Sequence, residues 1–408
     1  MQTEISEIYL GTKDGEEAGR ILRTCVHCGF CTATCPTYQL LGDELDGPRG
    51  RIYQIKQILE GAQATGTVRM HLDRCLTCRS CESTCPSGVD YARLLDIGRN
   101  LVEDTRSAPD KLVRKLMLNV LPYPARFAPA AKLGTFFSFM LPQKLSGKLP
   151  KSTKSTMSWP TSSHQRKVAV LSGCVQPTLA PDIDTSLAVV LERAGIETVP
   201  IRNSCCGALP AHLTDEARAE KMAIETIDLV WPLVEDGIEA IISTASGCGV
   251  TLKEYDWLLR HNDAYSEKAK RVSELASDPV EVIEKSLDSF EGQPGKGQTV
   301  VYHPPCTQQH GMKIKGNVEK VLTTLGYELL PFNDAHLCCG SAGTYSLFQP
   351  TISSELRERK LEQLQQPGAS AIATANIGCM THLGEKSGLP VIHWLSLVAD
   401  SLNSRPNS

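Results

Sequence analysis

Cysteine is the residue type that says most about the chemistry of this 408-residue chain, which contains 16 of them. Eight cysteines form two runs of one pattern, in which three are spaced by two residues and a fourth follows three residues later, before a proline. The runs are Cys25-x2-Cys28-x2-Cys31-x3-Cys35-Pro36 and Cys75-x2-Cys78-x2-Cys81-x3-Cys85-Pro86. Three thiolates in this spacing can surround one iron–sulfur cubane, while the fourth points away and binds the other cluster.

This spacing predicts two [4Fe-4S] clusters with crossed ligands. One would be bound by Cys25, Cys28, Cys31 and Cys85, and the other by Cys75, Cys78, Cys81 and Cys35. We expect Gly29 to let the backbone approach the sulfurs, because glycine tolerates strained backbone conformations. Structural zinc sites are the alternative, but zinc usually takes two CxxC pairs separated by a longer loop. Two neighbouring cubanes indicate one-electron transfer more than a structural role.

The other eight cysteines belong to an internal duplication over residues 168–408. VAVLSGC at 168–174 matches TVVYHPPC at 299–306, SCCG at 204–207 matches LCCG at 337–340, and AIISTASGCG at 240–249 matches AIATANIGCM at 371–380. Matched cysteines are 131–133 residues apart throughout. We call Cys174, Cys205, Cys206 and Cys248 the first CCG set. The second CCG set consists of Cys306, Cys338, Cys339 and Cys379.

Each copy alternates strand and helix signals, which predicts a small α/β unit with a parallel sheet. Apolar residues at helical spacing precede Gly195 in one copy and Gly326 in the other, as at the end of a helix. Another helix is predicted from Asp46-Gly47-Pro48 to Gly61. The overall fold class is α+β, with a mainly helical ferredoxin-like domain followed by two α/β lobes. The predicted domains are 1–100, a basic connecting segment 101–167, and the repeats 168–290 and 291–408.

The CCG sets also predict a reactive or metal-binding site. We expect the first and last cysteine of each set to end a strand and CCG to precede a helix, where the helix dipole favours thiolate. All four would then meet at the carboxyl edge of the sheet. A further iron–sulfur or other metal centre, a redox dithiol and inert buried thiols remain open. His303 and His382 are candidates for additional ligands.

Composition excludes several classes of protein. Lys plus Arg is 42 and Asp plus Glu is 46, so the net charge is −4. This charge does not indicate a nucleic-acid-binding protein. The N-terminus is polar and acidic, unlike a secretory signal, and no apolar run could span a bilayer. We therefore expect a cytoplasmic protein.

Residues 108–167 hold eleven basic residues and one acid, with apolar side chains between them. Residues 143–165 fit a plain, solvated linker. Residues 111–141 predict peripheral association with the inner face of the cytoplasmic membrane; partner docking and a plain linker are the alternatives there.

Motifs for an organic substrate are missing from the sequence. No GxGxxG follows a strand, and GxxxxGK[ST], HExxH and GxSxG do not occur. Oxidation of an organic acid releases two electrons, and a flavin usually converts them into single-electron steps. Since no flavin signature is visible, the chain is predicted to be a relay subunit that needs a flavoprotein partner.

Four segments closely resemble the iron–sulfur subunits of bacterial glycolate oxidase: CVHCGFCTATCPTYQLLGDELDGPRGRI (25–52), CLTCRSCESTCPSGV (75–89), TASGCG (244–249) and CCGSAGTY (338–345). The resemblance implies a complex with two FAD-type subunits that oxidises glycolate to glyoxylate, and often D-lactate to pyruvate. It implies that electrons leave towards the membrane respiratory chain, with the quinone pool as acceptor. The eight ferredoxin-type cysteines correspond to the family's cluster ligands.

The CCG repeats are also similar to those of heterodisulfide reductase and anaerobic glycerol-3-phosphate dehydrogenase. Heterodisulfide reductase ends such repeats with CxxC, whereas this chain has Cys248-Gly-Val-Thr251 and Cys379-Met-Thr-His382. The missing cysteines favour a simpler centre. Three alternative functions remain open. The chain could transfer electrons for another flavoprotein that oxidises D-lactate or glycerol 3-phosphate. It could be an enzyme that reduces disulfides or quinones at the CCG site, or a scaffold stabilised by structural metal.

Overall fold

The computed structural model of the chain describes residues 1–136 and 157–403. It divides into two compact units, which we treat separately. The first unit contains Met1–Leu116, Ala211–Thr214 and His336–Lys360, and the second contains Met117–Pro210, Asp215–Ala335 and Leu361–Ser408. The basic segment 108–167 falls partly on residues 137–156, so Phe137 lies outside the described residues, as does the side chain of Phe136. The four predicted domain ranges stay a prediction.

The first unit is mainly helical, as predicted for the N-terminal region. Its helices are α1 (Lys13–Thr24), α2 (Phe30–Ala33), α3 (Pro36–Leu41), α4 (Pro48–Leu59), α5 (Gly66–Asp73), α6 (Ser80–Thr84), α7 (Tyr91–Val102) and most of α8 (Ala108–Val120), with Tyr345–Phe348 and part of Pro350–Leu364. Helices α3 and α4 each begin with proline, whose fixed φ suits the first helical turn. Gly61, with φ of +103°, ends the α4 region as predicted.

Helices α4 and α7 lie against each other over a glycine. A Cβ atom on Gly98 would lie 2.5 Å from Cδ1 of Ile55, so only glycine permits this approach without rearrangement. Ile55, Leu94 and Leu95 are fully buried in the same core. The close packing fixes the position of α4, which starts beside the cysteine loops.

The second unit contains two parallel sheets of four strands within the described residues. The strands are β1 (Arg166–Leu171), β2 (Ile196–Ile201), β3 (Ala240–Ile242), β4 (Ala276–Ser277), β5 (Thr299–His303), β6 (Glu328–Leu329), β7 (Ala371–Thr374) and β8 (Val391–His393). The strand orders are β2-β1-β3-β4 and β6-β5-β7-β8. The same order in both sheets confirms the predicted fold class of duplicated α/β lobes.

Helices surround these sheets. They are α9 (Pro124–Phe136), Gln176–Leu179, Asp182–Arg193, part of Ala208–His212, Glu216–Glu235, Ser246–Lys253, Tyr255–Leu258, Ser266–Leu275, Pro279–Glu284, Asn317–Thr324, the end of Pro350–Leu364, Ile377–Gly384 and Trp394–Asn403. The helices Asp182–Arg193 and Asn317–Thr324 end before Gly195 and Gly326, both with positive φ, as predicted. One cluster of buried side chains contains Leu187 from the first copy and Trp394 from the second, so the two lobes share a core. None of the helices in the described ranges has the length and apolarity needed to cross a membrane.

Candidate metal centres

The two ferredoxin-type runs fold into loops of the same backbone geometry. His27 and Thr77 have φ of +56° and +53°, and Gly29 and Arg79 have φ of +84° and +59°. Gly29 therefore takes the left-handed conformation expected of it, immediately before α2. At the equivalent place in the second loop an arginine takes that conformation, which usually costs a non-glycine residue about 1–2 kcal/mol. The same backbone conformation therefore occurs in both loops, and in the second loop it forms without a glycine.

Each loop cavity is lined by the three closely spaced cysteines of one run together with the fourth cysteine of the other run. The first cavity is lined by Cys25, Cys28, Cys31 and Cys85, and Cys81 also reaches it. The second contains Cys35, Cys75, Cys78 and Cys81. Pro48, Cys81 and Tyr91 line both cavities, which are therefore neighbours. This is the grouping that crossed ligation requires.

The donor set can hold a metal centre. Burial raises the pKa of Cys31 to about 11 and also raises the pKa of Cys81 well above its ordinary value. Such thiols ionise when a metal cation binds them, because coordination removes the proton.

The two cavities differ in the exposure of their cysteines. Cys28 of the first cavity is exposed, and Cys31 and Cys85 are partly exposed. All four cysteines of the second cavity are buried.

A buried ionic network lies at the second cavity. Arg51, in the first turn of α4, lines that cavity and is 1% exposed. Asp46 is fully buried, and its carboxylate lies 3.5 Å from Nη2 of Arg51, 2.8 Å from Nη1 of Arg74 and 3.0 Å from Nδ1 of His71. The sequence did not predict this network, although Asp46 and Arg51 stand in the segment GDELDGPRGRI, because the partners His71 and Arg74 are brought to it only by packing.

Arg99 and Tyr91 complete the surroundings of the second cavity. The Arg99 guanidinium donates to the carbonyl oxygens of Cys75, at 2.8 Å, and Leu72, at 3.2 Å. The Tyr91 hydroxyl donates to Sγ of Cys75 at 3.7 Å. These contacts hold the second loop in place and direct a donor at one of its sulfurs.

The second CCG turn belongs to the first unit. The backbone N–H of Gly340 donates to Sγ of Cys338 at 3.5 Å, and the hydroxyl of Tyr345 donates to the carbonyl of Arg74 at 3.0 Å. Burial raises the pKa of Tyr345, and the thiols of Cys75 and Cys338 contribute to that rise. Tyr345 therefore lies close to both a ferredoxin-type cysteine and a CCG cysteine.

The first CCG set is brought together within the second unit. The thiols of Cys174, Cys205, Cys206 and Cys248 lie close enough to shift one another's pKa values. Interaction with the thiols of Cys174 and Cys206 lowers the pKa of Cys205 to about 4, while the pKa values of those two partners rise. As predicted, Cys205 and Cys206 lie just before a helix, Ala208–His212. The group can supply one ionised sulfur with three more beside it.

The predicted strand-end position of the last cysteine is wrong in both copies. Strand β3 ends at Ile242, and Cys248 lies in the first turn of the helix Ser246–Lys253. The reason is a turn in which the N–H of Ala245 donates to Oγ of Ser243 at 3.3 Å, which ends the strand early. Cys379 likewise lies in the helix Ile377–Gly384.

Both CCG glycines occupy left-handed positions against a neighbouring backbone. Gly207 has φ of +84°, and a Cβ there would lie 2.9 Å from the carbonyl oxygen of Ala219. Gly340 has φ of +89°, and its Cβ would lie 2.6 Å from the carbonyl oxygen of Ser353. The third residue of CCG therefore has to be glycine for two independent reasons.

The remaining candidates are divided between the units. Cys338 and Cys339 belong to the first unit, and Cys306 and Cys379 belong to the second. His303 ends β5, where its carbonyl accepts from Oγ1 of Thr374 at 2.9 Å, and His382 lies in the helix Ile377–Gly384. Both histidines are buried. Their roles as ligands stay predictions.

Comparison with known proteins fits these sites. A 4Fe-4S dicluster domain matches residues 21–89, and a cysteine-rich domain matches twice, at 168–253 and 300–384. The chain is 48% identical to the glycolate oxidase iron–sulfur subunit of Escherichia coli K12, over 98% of this chain and 99% of that protein. The chain belongs to the family of glycolate oxidase iron–sulfur subunits. The predicted family is thus confirmed, and its members are subunits of an oxidoreductase.

Two further comparisons extend this result. A Bacillus subtilis 168 protein named "Probable glycolate oxidase iron-sulfur subunit" is 29% identical, over 95% of this chain and 94% of its own length. A crystal structure of a hypothetical protein from Helicobacter pylori has a TM-score of 0.58 at 10% identity, covering 98% of this chain and 74% of that one. That structure shares the fold, and the family assignment rests on the sequence relatives.

Proposed function

We propose that this chain is the electron-transfer subunit of a glycolate oxidase complex. It would receive electrons from two FAD-containing subunits that oxidise glycolate to glyoxylate, and D-lactate to pyruvate, and pass them to a membrane acceptor such as quinone. One observation carries the proposal: eight thiols line two neighbouring cavities, each cavity combining the three closely spaced cysteines of one run with the fourth cysteine of the other, while Cys81 lines both. Family membership supplies the class of complex.

In this proposal the chain's residues hold and shield two redox centres. Bound [4Fe-4S] clusters supply carriers of one electron each. The loops around Cys25 and Cys75 present the thiols, and Pro48 and Tyr91 form walls common to both cavities. The exposed Cys28 brings the first centre to the surface, where a redox partner can approach, while the second cavity is kept from water.

The crossed ligand assignment has a direct test. Anaerobically reconstituted full-length protein should contain about eight iron atoms in the ferredoxin-type sites. Cys35→Ala should alter the EPR signal of the centre bound by Cys75, Cys78 and Cys81. Its matched control, Cys85→Ala, removes the equivalent fourth cysteine and should alter the other signal. Zinc in place of iron, or the reverse pattern of signals, would contradict the assignment.

Division of labour between subunits has a separate test. The isolated chain should not reduce a dye with glycolate, because its sequence has no flavin or substrate motif. With its flavoprotein partners it should accelerate electron transfer from glycolate to a quinone analogue. Glycolate oxidation by the flavin-free chain alone would refute the relay role, and disulfide reduction by that chain would favour the CCG enzyme alternative.

The first CCG set supports a further iron–sulfur or other metal centre. Its four thiols lie close enough to shift one another's pKa values, and the lowered pKa of Cys205 favours a thiolate. Full-length protein should therefore hold metal beyond that of the ferredoxin-type sites. Cys206→Ala, and Cys339→Ala in the second set, should each lower this excess. Equal metal content in wild type and both variants would indicate a redox dithiol instead.

Peripheral membrane binding is proposed from the sequence of the basic segment alone. Each basic residue near an anionic surface contributes about 1 kcal/mol, screened by salt. Flotation with anionic liposomes should show binding that weakens at high salt and is lost in Phe136→Ser combined with Phe137→Ser. If the assembled complex ignores liposomes that the isolated chain binds, the segment docks a partner subunit.

A further inference from the structure

The two ferredoxin-type cavities differ in the charge of their walls. The second cavity is lined by Arg51, whose side chain is 1% exposed, and by the partly exposed Arg79. The first is lined by Arg49, whose side chain is 37% exposed and lies 2.6 Å from the Glu44 carboxylate. An exposed, paired charge is screened by water, whereas a buried charge is screened less and acts more strongly on what lies beside it.

Arg51 is held by groups that carry little negative charge. Its Nε donates to the carbonyl of His71 at 2.7 Å, and its Nη1 donates to the hydroxyl of Thr37 at 3.2 Å. The one carboxylate beside it, that of Asp46, is 3.5 Å away and lies closer to Arg74 and His71. A buried guanidinium needs a compensating anion, and Asp46 is shared among three cationic or potentially cationic groups.

The sulfur atoms of the second cavity supply the negative charge that compensates Arg51. Burial opposes the charged form of Arg51, yet the thiols of Cys75 and Cys35, with Tyr91 and Asp46, raise its pKa above the ordinary value. A cubane bound by four thiolates is net negative and gains one more negative charge on reduction. A fixed cation beside it therefore stabilises the reduced form more than the oxidised form.

The backbone holds Arg51 at this place. A Cβ on Gly50 would lie 2.0 Å from the carbonyl oxygen of Glu44, so the turn before Arg51 closes more tightly than a side chain would allow. The contact between Gly98 and Ile55 fixes the same helix from the other side. Arg51 is thus held in position, unlike a flexible surface arginine.

We infer that Arg51 raises the reduction potential of the centre bound by Cys35, Cys75, Cys78 and Cys81 above that of the centre bound by Cys25, Cys28, Cys31 and Cys85. The inference rests on the proposed electron-transfer function and gives it a direction. An electron that enters at the exposed first centre moves on to the buried second centre. The buried centre lies on the side of Tyr345 and Cys338, where the second CCG turn begins.

The test is a potentiometric titration of full-length reconstituted protein, followed by EPR, with the two centres assigned through Cys85→Ala. Arg51→Gln should lower the ratio of reduced to oxidised buried centre about tenfold at a fixed ambient potential, which corresponds to about 59 mV for one electron. Arg51→Lys keeps the charge and should stay close to wild type. Asp46→Asn removes a negative charge from the same network and should shift the potential in the opposite direction.

Arg106→Gln is the matched control for loss of a buried arginine. The Arg106 side chain is also 1% exposed in the same unit, but it is paired with the carboxylates of Asp73, Glu103 and Asp110. This variant should leave both potentials unchanged. An equal shift in Arg106→Gln and Arg51→Gln would overturn the inference, because it would indicate a general structural effect.

Three other outcomes are decisive. Two intact signals with no shift in Arg51→Gln overturn the inference while leaving the proposed function in place. If Arg51→Gln loses its iron, Asp46→Asn provides the test instead. An unchanged reduction potential of the buried centre in Asp46→Asn then overturns the inference. Fewer than two cluster signals in the wild-type protein would instead contradict the proposed function.

Discussion

Gly207→Ala is expected to destabilise the second unit by about 2–5 kcal/mol. The left-handed backbone at φ of +84° costs alanine about 1–2 kcal/mol. The new Cβ would also lie 2.9 Å from the carbonyl oxygen of Ala219, and relieving such an overlap in a packed region costs about 1–3 kcal/mol more. The sum is large compared with the net stability of most domains.

Gly237→Ala separates the two contributions. Gly237 has φ of +83°, almost the same as Gly207, but a Cβ there would meet no atom within 4 Å. It should therefore show only the backbone cost of about 1–2 kcal/mol. The difference between the two variants measures the close approach at the CCG turn.

Tryptophan fluorescence during urea unfolding is a suitable assay, because all four tryptophans lie in the second unit: Trp159, Trp231, Trp257 and Trp394. Gly207→Ala should lower the transition midpoint more than Gly237→Ala. It should also make the buried Cys206 react faster with an alkylating reagent, because that thiol precedes the altered turn. Equal midpoints for the two variants would refute the argument from contact distance.

Three further predictions concern buried groups near the sites. Burial raises the pKa of Asp184 to about 7. The folded state therefore keeps a proton that the unfolded state releases near pH 4. The free energy of unfolding should fall by up to about 4 kcal/mol as the pH rises from about 4 to above 7. Asp184→Asn should make this slope shallower in urea titrations, with burial of Asp278, whose pKa is raised to about 6, contributing to the remainder. An unchanged slope would place the ionising group elsewhere. Tyr91→Phe removes the donor to Sγ of Cys75, so the potential of the buried centre should become more negative, by less than in Arg51→Gln; a shift of the other centre alone would contradict this. Gly98→Ala should lower the thermal midpoint through overlap with Cγ1 and Cδ1 of Ile55, both 2.5 Å from the new Cβ. Its effect should be smaller in an Ile55→Ala background, which lacks both atoms; an equal effect in the two backgrounds would mean that the overlap is not the cause.

The crossed cysteine pattern was predictable because its physical basis is local. Within Cys25-x2-Cys28-x2-Cys31 the spacing of the residues dictates how three thiols can surround one centre. The fourth cysteine is equally constrained, since three further residues carry it into the next turn. The duplicated sheets were predictable for a similar reason, because strand, helix and terminal glycine recur in the same order in both copies.

Local sequence could not reveal where separate segments meet. The assignment of His336–Lys360 to the same unit as the ferredoxin-type loops follows from packing over more than 200 residues of chain. The helical position of Cys248 depends on a turn formed by Ser243, which has no strong sequence signature. Arg79 takes a backbone conformation that its residue type disfavours, because the loop around the second cavity imposes it.

By itself the sequence determined the donor atoms, their division into three plus one, and the repeat of an α/β unit, since each depends on residues that are neighbours along the chain. Only the tertiary structure decided the electrical surroundings of those donors. Arg51 and Arg99 come from helices α4 and α7, and Asp46, His71 and Arg74 come from the segments around them. Charges act through space over several ångströms, so their effect on a redox centre depends on how helices pack and how much water remains, and neither is written in any short stretch of sequence.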